Sequence, residues 1–192
     1  INKPSGTVEG DLMVAIINNN ATSTQTGPSG WTNEDNYAGL ATGANVYLWW
    51  KVAGASEPSS YTWTISASQR TSGIISTFSG SFDADPIDAF VRYVNGDSGD
   101  NDIEHPGVTT TTGCTMLVFA GAYDDTIGGS RAWTEDTGWT EVTTDHSGTN
   151  TTMAYKTFAS TGATGQIDWT ITGVVSNVLE VCWVLAIDDN SN

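Results

Sequence analysis

The sequence predicts an all-β protein, a jelly-roll-like β-sandwich built from two internal repeats with pseudo-twofold symmetry. Three observations lead there. Strand-forming residues dominate: 29 Thr, 8 Trp, 6 Tyr and 5 Phe stand among 192 residues, punctuated by 21 Gly. No window shows a sustained helical period of apolar residues with caps at its ends. A set of landmarks then recurs in the same order in the two halves of the chain. A chain of this length buries roughly 70% of its unfolded surface, so folding requires neither a metal nor a disulfide.

Taken in order, the strand candidates are residues 12–17, 45–52, 61–66, 73–78, 87–94, 115–122, 151–158, 166–172 and 177–187. Each is rich in Val, Ile, Thr or aromatic residues and is bounded by Gly, Pro, Asn or Asp. In the second of them, Val46, Leu48, Trp50 and Val52 alternate with Tyr47, Trp49 and Lys51, as a two-faced strand requires. Trp49 and Trp50 therefore point to opposite faces. At most one of them belongs in the core of a two-sheet sandwich, and the other is exposed or in an interface.

The recurring landmarks are specific. Ile1-Asn2-Lys3-Pro4 matches Ile103-Glu104-His105-Pro106, and Gly10-Asp11-Leu12-Met13 matches Gly113-Cys114-Thr115-Met116. Gly30-Trp31-Thr32 matches Gly138-Trp139-Thr140, Trp50-Lys51 matches Tyr155-Lys156, and Trp63-Thr64-Ile65 matches Trp169-Thr170-Ile171. The repeats cover about 1–82 and 103–188. The connector between them holds a strand candidate of its own, which argues for one sandwich domain over residues 1–192. Two tandem immunoglobulin-sized sandwiches are the alternative.

Composition also excludes partners. Asp and Glu total 22 against 6 Lys and Arg, a formal charge of −16. Phosphate contacts need clustered Lys and Arg, so nucleic acid is excluded, and an anionic membrane surface is disfavoured for the same reason. No apolar run approaches the roughly 18 residues of a membrane span. The chain opens on Ile1 with no signal-peptide pattern, which reads as an internal start.

Four candidate sites follow. Trp31 and Trp139, like Trp63 and Trp169, occupy equivalent places and read as packing residues. Trp49 and Trp133 have no aromatic counterpart, so they are the candidates for an exposed carbohydrate-stacking surface. Asp83, Asp85 and Asp88 cluster around one loop and Asp97, Asp100 and Asp102 around the next, which makes calcium the cation to expect if any is bound. Cys114 and Cys182 pair in a disulfide or remain two buried thiols. His105, opposite Lys3 in the repeat, reads as a turn residue. Catalytic signatures are missing: there is no zinc spacing, no Gly-x-Ser-x-Gly elbow and no phosphate-binding Gly-rich loop. The expectation is a protein without enzyme activity and without a cofactor.

Residues 3–15, 27–32 and 50–63 resemble β-sandwich structural modules of tailed-phage and environmental-virus virion proteins, of the capsid decoration, tail or fibre type. They include Lys3-Pro4-Ser5-Gly6-Thr7, Pro28-Ser29-Gly30-Trp31-Thr32 and Trp50-Lys51-Val52-Ala53-Gly54. The resemblance spans nearly the whole chain and is sharper in the first half, since Thr137 replaces Ser29 and Tyr155 replaces Trp50 in the second. It implies a structural protein on the virion surface, or otherwise extracellular, that acts by self-assembly and surface complementarity. Its partners would be further copies of itself and other virion structural proteins. The alternatives are a carbohydrate-binding or adhesive module with a surface glycan as partner, and a subunit of an extracellular filament.

Overall fold

The computed structural model describes residues 1–39, 43–95, 102–123, 132–145, 149–172 and 180–188. Asp97 and Asp100 lie outside the described residues. Among the described residues, fourteen strands run in chain order: β1 Leu12–Asn19, β2 Gln25–Thr26, β3 Thr32–Ala38, β4 Asn45–Val52, β5 Thr64–Ile65, β6 Thr71–Phe78 and β7 Ile87–Asn95 in the first half. They continue as β8 Asp102–His105, β9 Thr109–Tyr123, β10 Ala132–Thr134, β11 Thr140–Asp145, β12 Asn150–Ala163, β13 Ile167–Thr172 and β14 Glu180–Ile187. There is no helix among the described residues.

Two main sheets carry the fold. One has the order β3-β4-β1-β6 and the other β11-β12-β9-β14-β7. Setting β1, β3, β4 and β6 against β9, β11, β12 and β14 makes the two orders coincide. The main sheets pack face to face. Leu12, Val14, Ile16, Val46, Leu48, Trp50, Ile74 and Phe78 of the first sheet share one cluster with Val118, Ala120, Met153, Val181, Trp183, Leu185 and Ile187 of the second. Each half therefore supplies one wall of a common core.

The outer face of each main sheet is covered as well. In the first, Met13, Ala15 and Ile17 of β1 with Tyr47 and Trp49 of β4 pack under Trp31, Tyr61 and Trp63, beside the small β2-β5 sheet. In the second, Leu117, Phe119, Cys182, Val184 and Ala186 pack under Trp133, Trp139, Ile167, Trp169 and Ile171, where β10-β13-β8 form the cover. This explains why β1 and β14 are buried at every position. It also corrects the expectation for Trp49 and Trp50. They do point to opposite faces, but both are buried because both faces are dry.

Matched details recur in the two halves. Trp31 N–H closes a turn on Pro28 O at 3.2 Å, and Trp139 N–H closes one on Asp136 O at 3.2 Å. The third residue of each turn is a glycine of positive φ, Gly30 at 82° and Gly138 at 87°, the conformation a type II turn demands. Each edge strand that follows bulges at the same place, between Asn33 and Asp35 in β3 and between Glu141 and Thr143 in β11. Register corrects one landmark. Leu12 pairs with Val52 and Met116 with Thr157, so Leu12 corresponds to Met116, one residue on from the match read in sequence. A one-residue slip would exchange the core face for the outer face.

Buried polar bonds tie the halves at one end of the common core. Thr149 Oγ1 donates to Asn18 O at 3.1 Å and lies 2.7 Å from Ser72 Oγ, while Asn18 Nδ2 donates to Tyr123 O at 3.2 Å. Elsewhere, Asp35 accepts from Trp183 Nε1 at 2.8 Å and from Arg92 Nη1 at 2.7 Å, joining β3 to β14 and β7.

A common core predicts a single unfolding event. Urea unfolding followed by tryptophan fluorescence and by far-UV circular dichroism should give coincident curves. Gly30→Ala and Gly138→Ala should each lower stability by about 1–2 kcal/mol, because alanine is strained at positive φ. Two separated transitions would show that each half folds on its own.

Candidate interaction surface

An exposed sheet edge is an invitation to pair, and folded proteins blunt their edges with charges, bulges or cover. The main sheets of this protein have four. β3 bulges at Glu34 and carries Asp35, and β11 bulges at Val142 and carries Glu141 and Asp145. β7 is covered: His105 Nε2 donates to Val91 O at 3.0 Å, and Asn95 Nδ2 donates to Asp102 O at 3.3 Å. β6 differs. Its sequence Thr-Ser-Gly-Ile-Ile-Ser-Thr-Phe contains no charge and no proline, and its pairing with β1 is unbroken by any bulge.

The first part of that edge is closed from the other half. Ser72 N–H donates to Thr149 Oγ1 at 3.1 Å and Gly73 N–H to Asp145 Oδ2 at 3.2 Å. Beyond Gly73 the edge opens onto two adjoining cavities that share Thr77, Ser79 and Val142. The inner one, about 370 Å³, is lined by Phe78, Phe82, Met116 and Tyr155 and reaches between the main sheets. The outer one, about 640 Å³, is lined mainly by polar groups, among them Asn2, Lys3, Thr7 and Asp11. Val142, the bulged residue of β11, is 40% exposed at their junction. Ser76 is buried on the same strand, and its hydroxyl has no hydrogen-bond partner. Sequence reading does not reach this surface, because β11, Thr-Glu-Val-Thr-Thr-Asp, lacks the apolar content that marks a strand. The uncharged run at residues 71–78 was the available signal.

The sequence candidates fall elsewhere. Trp49 is 7% exposed, donates through Nε1 to Gln25 Oε1 at 2.8 Å and covers Gly27. Trp133 is 5% exposed, sits against Gly121 and meets Phe119 edge-on. A Cβ on either glycine would come within 3 Å of the indole, so both rings rest on space that glycine leaves. Neither tryptophan offers an open face to a sugar, which corrects the stacking expectation.

The aspartates disperse too. Asp83 and Asp85 are exposed on the connector. Asp88 accepts from Thr111 N at 2.9 Å and Thr111 Oγ1 at 2.7 Å, and Asp102 accepts from Thr170 Oγ1 at 2.9 Å. Among the described residues no three metal-ligating side chains gather. The cysteines are both free and both buried. Cys182 faces Gly121, and Cys114 lies seven residues away along β9. At about 3.3 Å per residue that is roughly 23 Å, against the 7 Å that limits a disulfide. The pairing reading is therefore corrected to two thiols.

His105 is not a turn residue but the end of β8, fully buried. Gly107 N–H donates to its Nδ1 at 2.9 Å, and its Nε2 faces the Val91 carbonyl, so the neutral ring with its proton on Nε2 satisfies both. Burial holds its pKa below the usual 6.5, against the opposing pull of the Val91 bond. The unfolded chain then takes up the proton first, so stability is full above about pH 6.5 and falls as pH drops toward the depressed value. His105→Gln should lower stability overall and remove that slope, measured by denaturant midpoints across the pH range.

The thiols give a second check. Burial pushes Cys114 up to about 11, with Asp88 and Asp188 adding to it. Burial, then Glu180, lifts Cys182 well above its usual range. An aromatic disulfide reagent at neutral pH should leave the native protein unlabelled and titrate two thiols after denaturation.

No protein family matches the chain, and no curated protein or solved structure matches it either.

Proposed function

We propose that this protein is a non-enzymatic structural module that works by assembly on the exterior of a virus particle, as a capsid decoration or fibre component. The observation that carries the assembly reading is the uncharged, partly open β6 edge lying over a groove between the two main sheets. The reading also takes the two halves as copies of one unit, which the matched strand orders, turns and bulges support. The virion setting rests on the resemblance of residues 3–15, 27–32 and 50–63.

The chemistry of the charged groups agrees with a structural role. Glu57 accepts from Lys51 Nζ at 2.8 Å, Tyr61 OH at 2.5 Å and Gly54 N at 2.6 Å. Burial acts against its charge, but these bonds outweigh it and hold the carboxyl below its usual range. Asp35 accepts from Arg92 and Trp183. Both carboxylates are committed to holding strands and loops in place.

Immunogold electron microscopy on native source material, with an antibody to this chain, tests the setting. Regular label over capsids or tails is the expected result. Label confined to cells, filaments or soluble material would overturn the virion role.

A further inference from the structure

β7 has no counterpart beside β6. In the second sheet, β7 pairs antiparallel with β14 from Glu180 opposite Asn95 to Ile187 opposite Ile87, and Arg92 reaches Asp35 of the facing edge strand β3. β6 stands where β14 stands, and β11 where β3 stands, but between them lies the groove. We propose that this position takes one extended strand donated by another polypeptide, running antiparallel to β6, with bulky apolar side chains on one face and polar or basic ones on the other.

The two cavities set that alternation. Successive residues of an added strand point to opposite faces of its sheet. On one face they would enter the inner cavity, against Phe78, Phe82, Met116, Val142 and Tyr155. On the other they would meet Asn2, Lys3, Thr7 and the other polar groups of the outer cavity. The facing strand shows why the inner residue should be apolar. Where β3 presents Asp35 to Arg92, β11 has Thr143, and where β3 bulges at Glu34, β11 bulges at the apolar Val142. Charge selects against self-pairing, since a second copy brings the same −16 and a basic strand brings the opposite sign. Strand addition of this kind draws affinity from main-chain bonds and specificity from alternate side chains.

The inference rests on the assembly reading, and its test is separate. The intact chain, labelled with nitrogen-15, is titrated with a synthetic peptide of about seven residues that alternates Leu with Thr and Lys. The control is a peptide of the same composition with the alternation broken. The expected result is shift changes confined to residues 74–78, Val142 and the lining of the two cavities, with slowed amide exchange within residues 74–78. Val142→Lys, at an exposed position, should weaken binding by at least roughly tenfold with an unchanged melting temperature. Thr134→Lys, exposed on β10, should leave binding as it was. No perturbation at millimolar peptide, equal binding of the control, or pairing of the chain with itself through β6 would each overturn the proposal. Virion label without peptide binding would sink the strand and keep the function. Peptide binding without virion label would do the reverse.

Discussion

Everything in this structure depends on keeping both faces of two sheets dry at once. A sheet in a simple sandwich buries one face and wets the other. Here β1, β4, β9 and β14 are central in their sheets and have apolar neighbours above and below. The cost is more covering material, and it is supplied by tryptophan and tyrosine: Trp31, Tyr61 and Trp63 from the loops of the first half, Trp133 and Trp169 from β10 and β13, and Trp139 beside them. Trp31 meets Trp63 at 5.1 Å and 67°, and Trp139 meets Trp169 at 5.7 Å and 66°. Large rings cover much area with few residues, at a gain of about 1.5–3 kcal/mol for each fully buried apolar side chain. That is how a few rings cover a sheet face.

The acidic excess fits this arrangement. Asp11 and Glu180 are buried, but rims, connectors and edge strands carry other carboxylates, among them Glu34, Glu141 and Asp35 beside the bulges. The same charges that keep copies apart also discourage pairing through β3 and β11. His105 performs the corresponding task for β7 without charge, by occupying a carbonyl that would otherwise be free to pair.

Much of this was legible in the sequence, and the failures share a cause. The span of β4 reads directly, because alternation and aromatic content coincide from residue 45 to residue 52. Trp31 and Trp63, like Trp139 and Trp169, lie in the outer covers, where their recurrence in the sequence assigns them to packing. The polar edge strands β3 and β11 do not read directly. Their residues Thr-Asn-Glu-Asp-Asn-Tyr-Ala and Thr-Glu-Val-Thr-Thr-Asp lack the apolar content that marks a strand, and only their neighbours make them one. The outer cover was also invisible, and from that follow the misplacement of Trp49 and Trp133 and the reading of His105. Alternation says which residues share a face. It does not say what lies against that face. The candidate surface is hidden for the same reason, because β11, one of its two walls, carries no strand signal of its own.

The shared core has a consequence for synthesis. At roughly 5–20 residues per second, the ribosome finishes the first sheet several seconds before the second is complete. During that interval Leu12, Val14, Ile16, Val46, Leu48 and Phe78 have no opposing wall. β14 brings Val181, Trp183, Leu185 and Ile187 to that wall, and it is the last strand to emerge. A nascent chain of this protein therefore spends its growth with one greasy face waiting, and any helper it recruits in the cell must release that face only after the final strand arrives.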